Sequence, residues 1–190
     1  MAVRGRDCFS KHKKLILLLS KLVKIFPLCC RKRLFEHYRS TKGIKGLAIR
    51  YILLKSIAKK CGDNVSIHPD CYIFHTEKLE IGDNVSIHPM CYIEAIGGLS
   101  IGNDVSIAHS VTLLTTGHQF DRHDIPIKDQ SFIVEKTTIE DNVWIGAKAT
   151  VLCGNTVNAG AVIGAGAVVT HDIEENAVAV GVPAKVIKKR

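Results

Sequence analysis

An eight-residue phrase occurs twice in this chain. Gly62-Asp63-Asn64-Val65-Ser66-Ile67-His68-Pro69 returns, twenty residues on, as Gly82-Asp83-Asn84-Val85-Ser86-Ile87-His88-Pro89. A looser third copy opens at Gly102-Asn103-Asp104-Val105-Ser106-Ile107. A unit this short cannot bury an apolar face by itself, so neighbouring copies must stack into a solenoid.

A finer period runs inside the repeat. Aliphatic residues return every six positions, with a few steps of eight: Ile67, Ile73, Ile81, Ile87, Ile93, Ile101, Ile107 and Leu113, then Ile139, Ile145, Val151, Val157, Ile163 and Val169. A second small or apolar set is interleaved with them: Cys71, Val85, Cys91, Val105, Val111, Val143, Ala149, Ala161 and Ala167. A period of six fits neither a helix nor a long flat strand. It fits three short strands per turn of a triangular coil, with the aliphatic side chain inward and the small residue beside a corner. Asp-Asn pairs at 63-64 and 83-84 and again at 141-142 supply turn chemistry. The expected fold is an all-β solenoid, a parallel β-helix; the period does not set its hand.

The rhythm stops after Leu113 and restarts at Ile139, so the chain leaves the coil at about 114–138. Long excursions from a regular scaffold are usually functional. His118 stands at the start of this one, which sets it apart from the other eight histidines. His68 and His88 share a repeat position and are expected one above the other at a corner.

Charge divides the chain at Lys60-Cys61. Residues 1–60 hold 17 Lys and Arg against Asp7 and Glu36, a net +15; the rest carries −7. The basic part reads as helical over about 13–26, 30–38 and 44–59. In the first helix Leu15, Leu18, Leu19, Leu22, Ile25 and Phe26 share a face, with Lys14, Lys21 and Lys24 largely opposite. Pro27 stops or kinks it. The apolar run is too short to span a bilayer, and no secretory signal is evident. Such a helix can lie in the headgroups of an anionic membrane, or it can pack on the coil or on a neighbouring subunit. No nucleic-acid recognition motif accompanies the charge, so no nucleic acid partner is expected. The seven cysteines are odd in number and lack metal-ligand spacing. Reduced thiols imply a cytoplasmic protein, membrane-associated, if at all, on the cytoplasmic face. The expected domains are therefore a basic amphipathic helical segment, 1–60, and a β-helix, 61–190.

Five blocks in order carry a resemblance to a known family: Cys91-Tyr92-Ile93-Glu94-Ala95, Val111-Thr112-Leu113-Leu114-Thr115-Thr116-Gly117-His118, Asp141-Asn142-Val143-Trp144-Ile145-Gly146-Ala147, Ile163-Gly164-Ala165-Gly166-Ala167-Val168-Val169-Thr170 and Gly181-Val182-Pro183-Ala184-Lys185-Val186-Ile187. The chain resembles the hexapeptide-repeat acyltransferases. Within them it is most similar to the sugar O-acetyltransferases, including those of capsule and exopolysaccharide synthesis. The resemblance implies a left-handed β-helix and acetyl transfer from acetyl-CoA, as co-substrate, to a hydroxyl of a sugar or glycan acceptor. It makes His118 the general base and the Ala147 backbone N–H the oxyanion donor. Glu94 takes the place of an acceptor-binding polar residue, where galactoside-type enzymes more often carry an amide; Asp121, with Asp124, is a further acceptor candidate. Trp144, Ala147, Ala165, Thr170 and Lys185, with Lys188, line a CoA groove shared between subunits, which implies a homotrimer. No metal is expected. Two alternatives remain at this stage. One is a serine acetyltransferase-like enzyme, whose helical N-terminal domain is much longer than sixty residues. The other is a β-helical, carbonic anhydrase-like zinc protein using His88, His118 and His123.

Overall fold

The computed structural model describes residues 5–190, with side chains from Phe9 onward, so the Cys8 thiol lies outside the described atoms. Three helices come first: α1 (Gly5–Leu22), prolonged by a 3₁₀ turn at Val23–Ile25, then α2 (Leu28–His37) and α3 (Gly43–Ile57). α1 begins well before the expected residue 13. Pro27 ends this helical run and also stands at the N-cap of α2, a helix boundary where its missing N–H costs nothing.

From Lys60 the chain winds through strands of two to four residues that stack into three parallel sheets. The first face holds Lys60–Cys61, Leu79–Ile81, Leu99–Ile101, Thr137–Ile139 and Thr156–Val157. The second runs from Ser66–Ile67 to Ala177–Val180 and is closed by the antiparallel strand Lys185–Lys189. The third runs from Tyr72–Phe74 to Val168–Val169. On the second face Ile67, Ile87, Ile107, Ile145 and Ile163 stand in direct register, and each is fully buried. Removing such a side chain from water is worth about 1.5–3 kcal/mol, and the ladder repeats it in every turn. The interleaved small residues from Cys71 to Ala167 are buried as well. The six-residue period is thus the length of one side of the triangle.

The corners explain the Asp-Asn pairs. Asn64, Asn84 and Asn142 have φ of 54°, 58° and 58°, a left-handed conformation that Asn tolerates better than most residues. The preceding side chains cap the neighbouring turn. Asp63 N–H donates to Asp83 Oδ1 at 2.7 Å, Asp83 N–H to Asn103 Oδ1 at 2.8 Å and Asn103 N–H to Asp141 Oδ1 at 2.7 Å. Gly82 sits where coils touch, and a Cβ there would lie 2.7 Å from the Gly102 carbonyl. His68 and His88 stack as the repeat implies, rings 4.8 Å apart and 7° from parallel.

α3 covers the open end of the first turn. Tyr51, Leu54 and Ile57 are buried in one cluster with Val65 and Ile67. Arg50 is 1% exposed and ties the parts together. Its Nε donates to Ile67 O at 2.8 Å, and Nη1 reaches Thr41 O at 2.6 Å and the carbonyls of Tyr38 and Arg39. Secondary structure and charge change near Lys60, yet one apolar core runs across that point, because a bare solenoid end would leave its ladder wet.

α1 packs through Phe9, Ile16 and Val23, which touch the core. The stripe picked out by its spacing stays uncovered: Leu15, Leu18, Leu22 and Phe26 are 48–55% exposed, and Ile25 is 79% exposed. Amphipathic spacing found an apolar stripe, but tertiary contact uses the adjacent one. Among the described residues no helix is long and apolar enough to cross a membrane.

The excursion is partly ordered as a ribbon. Thr116–His118 pairs antiparallel with Phe132–Val134, His118 opposite Phe132, and the coil resumes at Thr137–Ile139.

Candidate active site

His118 closes the first ribbon strand and is exposed. Its ring lies against Phe132, centroids 4.3 Å apart and planes at 51°. The ribbon lies directly on the next turn, for a Cβ at Gly117 would stand 3.3 Å from Cys153 Sγ.

Glu94 fixes the root of this ribbon. It is 9% exposed. Its Oε1 accepts from Ile96 N–H at 2.6 Å and Thr115 Oγ1 at 2.8 Å, and its Oε2 accepts from Thr116 Oγ1 at 2.8 Å. Thr115, fully buried, also accepts from Gly97 N–H at 2.9 Å, while its carbonyl accepts from Glu135 N–H. Burial alone would raise the Glu94 pKa. The hydrogen bonds from Ile96, Thr116 and Thr115 outweigh it and hold the carboxyl below its ordinary value. The anchor is therefore complete at neutral pH, persists above the unfolded-state pKa of about 4.3, and is lost only as pH falls through the depressed folded value.

This second occupation of Glu94 yields a prediction. Glu94→Ala orphans Ile96 N–H and frees the ribbon root, and a displacement of about 1 Å can cost about 100-fold in rate. We expect kcat to fall by about 10- to 100-fold, with Glu94→Gln, which keeps one acceptor oxygen, milder. A rise in acceptor KM at unchanged kcat would show that Glu94 acts only by touching the acceptor.

The proposed CoA-side residues form a second group. Trp144 lies on the second face between Ser106 and Val162, 53% exposed. Ala147 follows at the corner, and Ala165 stands one turn on, where Gly166 N–H donates to Ala147 O at 2.8 Å. The N–H groups of His109, Ala147 and Ala165 make no hydrogen bond among the described residues. In the first two turns this position is Pro69 and Pro89, which have no N–H to offer. The coil's ladder does not use that donor, so from His109 onward each turn presents a free N–H. Thr170 follows the third face, its Oγ1 2.9 Å from His171 Nδ1. Ala184 N–H donates to Val168 O at 2.8 Å, which brings exposed Lys185 close to the Val168–Val169 strand.

Among the described residues no hydrogen bond or ring contact joins His118 to Trp144, Ala147, Ala165, Thr170 or Lys185. Asp121 is exposed in the loop between ribbon strands. Asp124 is taken by Arg122, whose guanidinium holds that carboxyl below its ordinary range. Gln130 closes the loop, donating from Nε2 to Arg122 O at 2.7 Å. No three His, Cys, Asp or Glu side chains among the described residues gather as metal ligands; His88 is stacked on His68, so one chain does not assemble the His88, His118 and His123 set. The roles of Thr115, Thr116 and Cys153 were not read from the sequence. Only the Thr-Thr preceding Gly117-His118 hinted at them, as part of a block whose hydroxyl partner, Glu94, lies 21 and 22 residues upstream.

No protein-family model matches the chain. The galactoside O-acetyltransferase of Escherichia coli (strain K12) is 36% identical over 140 residues, 74% of this chain and 68% of that one. The chain belongs to the sugar O-acetyltransferases of the left-handed β-helix family. It is an acyltransferase. A relative from the same strain, named for O-acetyl transfer in lipopolysaccharide biosynthesis, is 37% identical over 90 residues, 44% of this chain and 46% of its own. Among solved structures, a maltose O-acetyltransferase from Clostridium difficile 630 superposes with a TM-score of 0.73 at 26% identity, covering 88% of each chain. A galactoside acetyltransferase in complex with coenzyme A gives 0.61 at 27% identity, covering 85% of this chain and 79% of that one.

Proposed function

We propose that this sugar O-acetyltransferase takes its acetyl group from acetyl-CoA and places it on a hydroxyl of a glycan acceptor in polysaccharide or glycan biosynthesis, with His118 as general base. The observation that carries the reading is His118 on a ribbon rooted through Thr115 and Thr116 to the Glu94 carboxylate. Support for the donor comes from the free N–H row at Ala147 and Ala165 and from the CoA-bound relative.

The neutral His118 imidazole takes the proton of the acceptor hydroxyl as its oxygen attacks the thioester carbonyl. The tetrahedral oxyanion receives the Ala147 N–H. The C–S bond then breaks, and the imidazolium returns its proton to the departing thiolate, leaving an acetyl ester and free CoA. Asp121 and the remaining lone pairs of the Glu94 carboxylate accept hydrogen bonds from acceptor hydroxyls. Trp144, Ala147, Ala165, Thr170 and Lys185 line the CoA groove. Among the described residues no hydrogen bond or ring contact joins these residues to His118, in keeping with a complete site that lies between protomers of a homotrimer. Residues 61–190 carry the chemistry, and the helical segment 1–60 meets an anionic membrane from the cytoplasmic side.

Lys185 provides the experiment for the donor site. If its ammonium meets the terminal phosphate of CoA, Lys185→Ala raises KM for acetyl-CoA more than for acetyl-dephospho-CoA, and the salt dependence of KM weakens. An equal effect on both donors would place Lys185 elsewhere.

A further inference from the structure

We infer that α1 and the groove beside it dock on an anionic bilayer, with one lipid hydrocarbon chain entering the groove. Three observations carry this. First, Leu15, Leu18, Leu19, Leu22 and Phe26 form one stripe along α1 and its 3₁₀ extension that stays 37–55% exposed, since the helix is held to the core through Phe9, Ile16 and Val23 instead. An uncovered apolar stripe of this length marks an interaction surface.

Second, four of the cations along the stripe are unpaired among the described residues. Lys13 and Lys55 meet Asp63, Lys32 meets Glu77 and Lys59 meets Glu80. Lys11, Lys14, Lys21 and Lys24 have no carboxylate partner among the described residues. Apolar side chains flanked by free ammonium groups suit the boundary between acyl chains and anionic headgroups.

Third, a groove of about 610 Å³ opens between α1, α3 and the first turns of the coil. That size and its mostly apolar lining match a site for a small amphiphile. Leu15 and Leu19 belong to the groove and the stripe alike, Ile44 and Tyr51 extend the apolar wall, and Lys45 is the cationic side chain in its lining, which also includes the His12 ring of α1. A chain with an anionic head matches this order of surfaces: tail in the groove, phosphate toward Lys45, neighbouring lipids under the stripe. This docking rests on the membrane contact proposed above for residues 1–60 and is independent of the acetyl transfer.

The test uses the full chain and vesicles of phosphatidylcholine with or without phosphatidylglycerol, at low salt. The protein co-sediments with the anionic vesicles only. Leu18→Asp/Leu22→Asp abolishes binding, while Lys45→Glu weakens it by about fivefold or more. Both variants keep acetyl transfer to a soluble acceptor. Phosphatidylglycerol bearing a diazirine on one acyl chain crosslinks to residues of the groove, Ile44 among them, located by peptide mapping. Indifference to vesicle charge, unchanged binding by the variants, or crosslinks confined to the outer edge of α1 would overturn the inference. So would a change of oligomeric state in Leu18→Asp/Leu22→Asp measured by light scattering, which would make this face an interface between copies of the chain.

Discussion

His118→Ala lowers kcat for acetyl transfer by at least about 100-fold while the fold and acetyl-CoA binding persist. The magnitude follows from the role. General-base assistance contributes about 100- to 10,000-fold, and among the described side chains near the ribbon no second imidazole is placed to replace it: His123 is in the loop beyond, and His88 is stacked on His68. The ring makes one aromatic contact, to Phe132, and is exposed, so its removal leaves no buried hole. His123→Ala is milder. Loss of stability accompanying His118→Ala, or turnover close to normal, would contradict the assignment. Equal losses from both variants together with stoichiometric zinc would favour the carbonic anhydrase-like zinc protein instead.

The second large effect is on stability. Arg50→Ala costs about 3–5 kcal/mol, because hydrogen bonds from a charged donor contribute about 1.5–3 kcal/mol each and the deletion removes several at once. The guanidinium is 1% exposed and serves the carbonyls of Ile67, Tyr38, Arg39 and Thr41. Burial draws its pKa down, yet an arginine stays charged. Without it several buried acceptors lose their donor and the joint between α3 and the first turn opens. Arg50→Lys does not rescue, because a single ammonium lacks the planar fork that reaches Ile67 and Thr41 at once. Thermal or denaturant unfolding decides this, and a loss below about 1 kcal/mol would mean that the helices cap the coil without Arg50.

The same residue shows where reading the sequence runs out. The coil was legible because its forces are local and repeated: Ile67, Ile87 and Ile107 announce a ladder, and the Asp-Asn pairs at 63-64 and 83-84 announce turns. The excursion was legible as a gap in that rhythm, and His118 as the histidine at its mouth. Arg50 was one basic residue among seventeen in the first sixty, and its spacing does not reveal that it would be buried. Glu94 was found through its block, but its grip on Thr115 and Thr116 spans more than twenty residues and has no local trace. α1 shows the opposite failure. Its strongest apolar stripe was plain, but the contact with the core goes through Phe9, Ile16 and Val23, because packing is set by the surface a helix meets as well as by its own moment. Pro69 and Pro89 were visible throughout. Their meaning, a corner position whose N–H the coil leaves free at Ala147 and Ala165, became readable only with the hydrogen bonds in view.

The central claim is that this chain moves an acetyl group from acetyl-CoA to a sugar hydroxyl through His118. The most direct measurement follows thiol release from acetyl-CoA and ester formation on the acceptor together, across free, nucleotide-linked, lipid-linked and polymeric glycans, for the native chain and His118→Ala. The account predicts one O-acetyl ester per thiol on at least one glycan class, with both signals falling together in the variant. Thiol release without ester, or ester formation that survives the loss of His118, would contradict it.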